Sequence, residues 1–571
     1  ANLAKLYQSQ GQYPNALEWI RRSTTILRHR FTAQGVQESK GLLSEQREAK
    51  SNFFTHIDLA LHPGQVGDRG ELAREAYELL QLARTSAAGG ALARMAARFA
   101  AGSDQIATVV RRQQDTLRQY QLLDQKLLQA VSSLPGKRND AVEKNLRLQI
   151  GSLKEKLANL DKEIVTQFPE YSTLTSRQPM PADEAQMLLG KDEALLTFIR
   201  SSKGDETHVF VTRADTLKAY TVPVSLEEIE DTVDELRAGL DQSYIESLED
   251  LLSFDTALAF EFYEKLFKPA EVMLKGVKHM FVVPTGPLQS LPLGVLVTGK
   301  PEMTSDFAAY RNVRWLARNY AITTLPSVSS LKALRVFASR TEATKPFIGF
   351  GDPVLEGSSG GSRGVKIAAL FRGAVANVDE VRMLSRLPDT ADELRAMALY
   401  LGADTSSVYL GKNASESKVK TMDLTNSRVV AFSTHGLISG DLTHLAEPAL
   451  VLTPPDKASE QDDGLLTASE IAQLKFDAEW VILSACNTAH GEGAGAEGLS
   501  GLAKAFFFAG SRALLVSHWP VESQSATALT QGMFRALRDD PTMGRSEALR
   551  RAMFKLVAND NHPHWAHPAF W

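Results

Sequence analysis

The 571 residues carry a formal net charge of −5, with 43% hydrophobic and 23% charged residues, the composition of an ordinary globular protein with apolar residues enough for a large core. That balance excludes a whole-chain basic field for nucleic acid or an anionic membrane surface, and no apolar run approaches the roughly 18 residues a membrane span needs. The one cysteine excludes an intrachain disulfide and suits a reducing compartment, so a cytoplasmic location is expected.

The chain begins with Ala1 rather than Met, so a fragment is expected and the lack of a visible signal peptide carries little information. Residues 1–30 have the spacing of a helical hairpin. Leu3, Ala4, Tyr7, Gly11, Tyr13, Ala16 and Ile20 fall where a tetratricopeptide repeat puts its small and large packing residues. One such unit cannot bury its face alone, so preceding repeats or later helices must cover it. Residues 31–168 continue helical. Ala-Gly-Gly at 88–90 predicts a helix break, and residues 105–132 and 140–168 predict an antiparallel hairpin about the turn Leu134-Pro135-Gly136. Arg and Gln at 111–119 are offset by neighbouring acids, so no direct nucleic-acid contact is expected.

At 169–181 prolines cluster and the period shifts from helical to strand-like, which predicts a domain boundary. A first α/β section is expected over 182–340. It has strands at 194–199, 208–212, 217–222, 279–283 and 320–324, helices at 226–240 and 254–266, and a cap from Ser327. A second section over 345–571 opens with a strand at 347–350 and a Gly/Ser-rich surface loop at 357–364. A capping box of Thr390 and Glu393 begins a helix there. Apolar strands follow at 429–432, 480–484 and 513–517. The last two flank a Gly-rich turn and a helix closed by Gly510. Strand, helix, strand in this order implies a mostly parallel sheet flanked by helices, with ligands at the carboxyl ends of the strands.

His435 and Cys486 both stand at the exits of such strands. A thiol becomes a nucleophile when a base takes its proton, and histidine is the commonest such base. The N–H groups of Gly436 and Cys486 are candidate donors to a developing oxyanion. His435 lies 51 residues before Cys486, matching the caspase spacing of about 50. His490 is a rival base, but it sits in a glycine-flanked loop that would position it poorly. The string Gly493-x-Gly495-x-x-Gly498 has the letters of a dinucleotide fingerprint. Its first glycine stands too far past the strand end to make the tight turn onto a pyrophosphate. His562, His564 and His567 lack acidic or thiol partners for a metal, and no serine elbow between a strand and a helix is expected. No cofactor is expected.

The blocks AFSTHGLI (431–438) and LSACNTAHGEGAGAEGLSGLAKAFFFAGSRALLVSHWPV (483–521) closely resemble the CHAT family. These are caspase-like cysteine peptidases related to separase, usually preceded by tetratricopeptide repeats. The resemblance extends through VVPTGPLQSLPLGVL (282–296), LPSVSSL (325–331) and GFGDPVL (349–355), and covers about residues 182–571. It implies an α plus α/β chain whose first α/β half is catalytically silent, with His435 as general base and Cys486 as nucleophile. It also implies a protein substrate, cleaved under control of a regulatory protein or ribonucleoprotein on the helical region, in bacterial defence or cell death. A silent interaction scaffold is the alternative. Glu522 stands where the family often has Asp, and the chain stops at residues 567–571, where relatives continue into one more strand. Asp441, Glu447, Glu492, Glu497 and Glu522 flank the motifs and favour a basic side chain before the cut.

Overall fold

The computed structural model describes the chain except residues 34–39, 85–86, most of 101–138, 168–177, 242–252, 303–305, 338–340, 358–370, 373–374, 377, 438–447, 460, 485–500 and 520–521. It divides into two compact units, the larger comprising residues 1–92, 178–332 and 340–571 and the smaller 93–177 and 333–339. None of the described helices is long and apolar enough to cross a membrane.

The larger unit opens with helices α1 (Asn2–Ser9), α2 (Tyr13–Ala33), α3 (Lys40–Leu61) and α4 (Arg69–Ala83). Gly11 supplies the left-handed turn between the first two at φ 73°. Ala4, Ala16 and Ile20 are fully buried, whereas Leu3 is 46% exposed and does not join the packing expected of it. The later helices cover the hairpin. Arg21 grips Glu75 of α4 through two hydrogen bonds of 2.8 and 2.6 Å, and His56 of α3 bridges Thr24 and Glu75 at 2.9 Å each. Asp58 then ties α3 to the first sheet, accepting from the Ser202 N–H and meeting the His208 ring, both at 2.9 Å.

The expected break at Gly89–Gly90 is corrected: both glycines lie inside α5 (Ala87–Ala100), and the chain leaves α4 earlier, at an extended Arg84. The Arg84 guanidinium donates to the carbonyls of Val283 and Pro284, 3.1 and 2.5 Å away. Tertiary hydrogen bonds thus set the break where propensity alone pointed to glycine. In the smaller unit, α6 (Asp140–Gln167) lies beside described residues of the preceding segment. Arg112 pairs with Glu163 at 3.8 Å, and Lys154 sits over the Tyr120 ring. The turn at 134–136 lies outside the described residues.

The first sheet has strands β1 (Glu193–Arg200), β2 (Thr207–Thr212), β3 (Leu217–Val222), β4 (His279–Val283) and β5 (Ala321–Thr324), in the order β3-β2-β1-β4-β5. The first three form an antiparallel meander, and β1, β4 and β5 run parallel. Helices α7 (Leu226–Ala238), capped by Ser225, and α8 (Thr256–Leu266), capped by Asp255, cover it. The Ser327 hydroxyl meets those of Ser329 and Ser330 rather than a backbone N–H.

The second sheet has strands β6 (Lys345–Gly351), β7 (Val408–Leu410), β8 (Ser427–Ser433), then after a side ladder β12 (Trp480–Ser484) and β13 (Leu514–Leu515). It is wholly parallel, in the order β13-β12-β8-β6-β7. The side ladder is antiparallel: β9 (Gly436–Leu437), β10 (Ala449–Val451) and β11 (Leu465–Thr467). Helices α9 (Asp389–Leu401), α10 (Gly501–Ala509), α11 (Ser523–Asp539) and α12 (Arg545–Val557) pack on its faces. The Thr390–Glu393 capping box is corrected, because Thr390 lies inside α9. Its hydroxyl donates to the Leu387 carbonyl and accepts from the Asp352 N–H, and the buried Glu393 accepts from Thr530. Both side chains serve tertiary contacts, which displaces the local cap.

Candidate active site at the carboxyl edge of the second sheet

Strand β8 is central, flanked by β6 and β12, and its run Val429–Ser433 is buried on both faces, as a parallel sheet covered by helices requires. Beyond it the chain bends into the side ladder. The Thr434 N–H donates to the Ser484 carbonyl (3.3 Å), the Thr434 hydroxyl to the Val451 carbonyl (2.5 Å), and the Val451 N–H to the His435 carbonyl (2.9 Å). These bonds hold His435 just past the strand end, with none of its surface exposed.

The His435 ring is oriented by a backbone group. Nε2 lies 2.8 Å from the Ser385 carbonyl oxygen. A carbonyl only accepts, so Nε2 carries the proton, and in the neutral ring the basic lone pair is on Nδ1. Ser385 is placed in turn by Gly357: the Gly357 N–H donates to the Leu384 carbonyl at 3.0 Å and the Glu356 N–H to the Arg382 carbonyl at 2.6 Å. A Cβ on Gly357 would come within 2.5 Å of the Met383 carbonyl oxygen and 2.6 Å of that of Leu384. Only glycine fits there.

Gly436 pairs with Leu450 across β9 and β10. Because the ladder bond runs from Val451 to the His435 carbonyl, Gly436 occupies a non-hydrogen-bonded pair and its N–H turns away from β10. On the other side, Ser433 pairs with Ser484, a register offset of 51 that equals the chain separation of His435 and Cys486. Cys486 itself lies outside the described residues, as do Asp441, Glu447, Glu492, Glu497, His490 and the Gly493–Gly498 string. Glu522 is described. It is the N-cap of α11, its carboxylate accepting from the Ser525 N–H at 2.7 Å.

Sequence reasoning missed two features of this edge. The Ser385 carbonyl carries no side-chain signal, and its one trace is Gly357, which reads as part of a surface loop. Asp352, directly after β6, is the one non-glycine residue with positive φ (43°) among those described. Burial raises its carboxyl above the usual range, against the opposing pull of Arg386 and Arg395. The three C-terminal histidines have packing partners. His562 stacks on Trp565 at 4.0 Å, His564 meets Phe570 edge-on, and His567 Nδ1 accepts from the Ala569 N–H. Among the described residues no group of three or more His, Cys, Asp or Glu side chains is placed to hold a metal.

Comparison with known proteins supplies a family. The mouse (Mus musculus) tetratricopeptide repeat protein 28 is 26% identical over 219 residues, which is 32% of this chain and 8% of that protein. Two crystal structures of the Saccharomyces cerevisiae separase–securin complex are similar to it at TM-scores of 0.39 and 0.38 and 10% identity. They cover 99% and 95% of this chain but only 40% and 39% of theirs. The chain thus spans well under half the length of these proteins. The CHAT domain model matches residues 256–571, more than half of the chain. By that match the chain belongs to the CHAT domain family.

Proposed function

We propose that the chain is a cysteine endopeptidase acting on a protein substrate through His435 and Cys486. One observation carries this reading: His435 stands past β8 with its protonated nitrogen held by the Ser385 carbonyl, and the neighbouring strand β12 ends two residues before the only cysteine. Membership in the CHAT domain family supports it.

In this mechanism Nδ1 of His435 takes the thiol proton and the Cys486 thiolate attacks the scissile carbonyl. The N–H groups of Gly436 and Cys486 stabilise the oxyanion. Collapse expels the amine, which leaves with the proton from His435, and the acyl group remains as a thioester. His435 then deprotonates a water that hydrolyses the thioester and frees the thiol. A basic side chain before the cut is proposed from Asp441, Glu447, Glu492, Glu497 and Glu522, of which Glu522 already has a structural task as a cap. The helical region is proposed to receive a regulatory protein or ribonucleoprotein, in bacterial defence or cell death within the cytoplasm.

The test is mass spectrometry after incubation with peptide acyloxymethyl-ketones, wild type beside Cys486→Ala and His435→Ala. Labelling of Cys486, lost in Cys486→Ala and slowed at least about 100-fold in His435→Ala, is expected for a general base. Absence of labelling, alone and with candidate partners, would transfer the chain to the alternative of a silent scaffold.

A further inference from the structure

We infer that Arg237, in the first α/β half, is a positioning residue for the carboxyl edge of the second sheet. The inference rests on the peptidase reading for its catalytic consequence, and on geometry alone for its structural one. Arg237 lies in the last turn of α7, and its two terminal nitrogens reach two carbonyls from distant parts of the chain. Nη1 donates to Ser290, at the end of the Gly286–Ser290 turn that follows β4, and Nη2 donates to His518 at 3.1 Å. His518 follows β13, which lies two strands from β8 in a parallel sheet, so both strands exit at the edge that holds His435. At about 4.8 Å per strand, that is roughly 10 Å across the sheet.

The next residue packs on the first sheet and is hydrogen-bonded by the C-terminal segment of its own section. Trp519 is 4% exposed, is built into the hydrophobic core of the first sheet, and donates its indole N–H to the Ala569 carbonyl at 2.9 Å. Residues 518 and 519, though carried by the catalytic sheet, are therefore seated on the first half. The Gly286–Ser290 turn is anchored from the helical region as well, since Arg84 beyond α4 donates to Val283 and Pro284 just before it. Two arginines on carbonyls thus connect the end of α4, the exit of β4 and the exit of β13. A planar fork suits this task. Guanidinium presents donors in two fixed directions, whereas an ammonium is a point donor that cannot hold both carbonyls at the same geometry.

The test uses the full chain with Arg237→Lys and Arg237→Met, followed by hydrogen–deuterium exchange and by the kinetics of the ketone probe. Losing a charged hydrogen bond to a carbonyl is expected to speed exchange over residues 514–519 by about tenfold or more in both variants, with β8 unchanged. The probe's reversible binding constant is expected to weaken about tenfold while its maximal inactivation rate stays within about twofold, because the His435–Cys486 pair is untouched. Unchanged exchange over 514–519 would overturn the inference. So would wild-type behaviour of Arg237→Lys, which retains charge and length, or a fall in the inactivation rate without a change in binding. If Arg237→Met fails to fold, Arg237→Lys alone decides. If wild type is not labelled at all, the peptidase reading fails, and the exchange result still decides whether Arg237 positions the segment.

Discussion

In the proposed peptidase His435 can serve the Cys486 thiol only if the right nitrogen faces it, and a main-chain oxygen makes that choice. The Ser385 carbonyl takes the Nε2 proton, and Gly357 holds the segment carrying that carbonyl with no room for a methyl group. Gly357→Ala should therefore act on the ring and not on the fold at large. The added Cβ must push the Met383 and Leu384 carbonyls away, which shifts Ser385 with them. The expected outcome is a labelling rate at Cys486 reduced about tenfold to 100-fold, since a misplacement near 1 Å costs about that much. The urea midpoint should fall by an amount corresponding to no more than about 2 kcal/mol. Labelling at the wild-type rate would show that the Ser385 contact does not set the reactive tautomer. His435 and Cys486 could be picked out as candidates because strand exits and glycines leave marks in a sequence. The orienting carbonyl was not, because every residue has one.

Among the elements, helices α2 and α4 are joined by charge. Burial alone would raise the Glu75 carboxyl, but hydrogen bonds from Arg21 and His56 overcome it and hold the group down to about 2. A carboxylate with a depressed native value stabilises the fold above its unfolded value, near 4.5, and that contribution fades as pH falls towards 2. Because the Arg21–Glu75 pair is partly open to solvent screening, Glu75→Gln should cost on the order of 1–2 kcal/mol at pH 7 and less than about half of that at pH 3. Urea denaturation of both proteins at the two pH values measures this, and a pH-independent difference would locate the effect in packing instead. The helix stack itself was readable from small and large residues at repeat spacing, and β4 and β12 were readable to the residue from their apolar runs. Gly510 closes α10 as expected, with φ 124° and the Phe476 carbonyl oxygen 2.2 Å from where a Cβ would stand. Misreadings arose where distant partners decide. Arg84 ends α4 because two carbonyls of the first sheet await it, and Thr390 forgoes a cap for the Asp352 N–H. Strand β13 spans only Leu514–Leu515, because the residues after it are drawn towards the other half.

At the scale of the larger unit, both α/β sections contribute to the core on the first sheet. The apolar cluster on the first sheet includes Trp519, Leu556 and Val557 from the second section, together with Trp565, Ala566, Ala569, Phe570 and Trp571. The Trp571 indole donates to the Ala566 carbonyl and its ring meets Trp315 edge-on at 5.3 Å. Arg311 reaches across to Asp560 and the Asn559 carbonyl, and Arg550 to the Arg318 carbonyl. Each buried tryptophan removes about 200 Å² from water, or roughly 5 kcal/mol at the usual coefficient. Trp519, Trp565 and Trp571 together then contribute about 15 kcal/mol of gross burial, as large as the upper end of a typical domain's net stability. Neither half should survive alone, and the two should unfold together. Pulsed hydrogen exchange along a urea series reads this directly: β4 of the first sheet and β8 of the second should lose protection at one midpoint. Midpoints separated by more than about 1 M would mean that each sheet has a sufficient core of its own. A single midpoint would fit an arrangement in which the first section cannot be moved without disturbing the second, which carries the proposed His435–Cys486 pair.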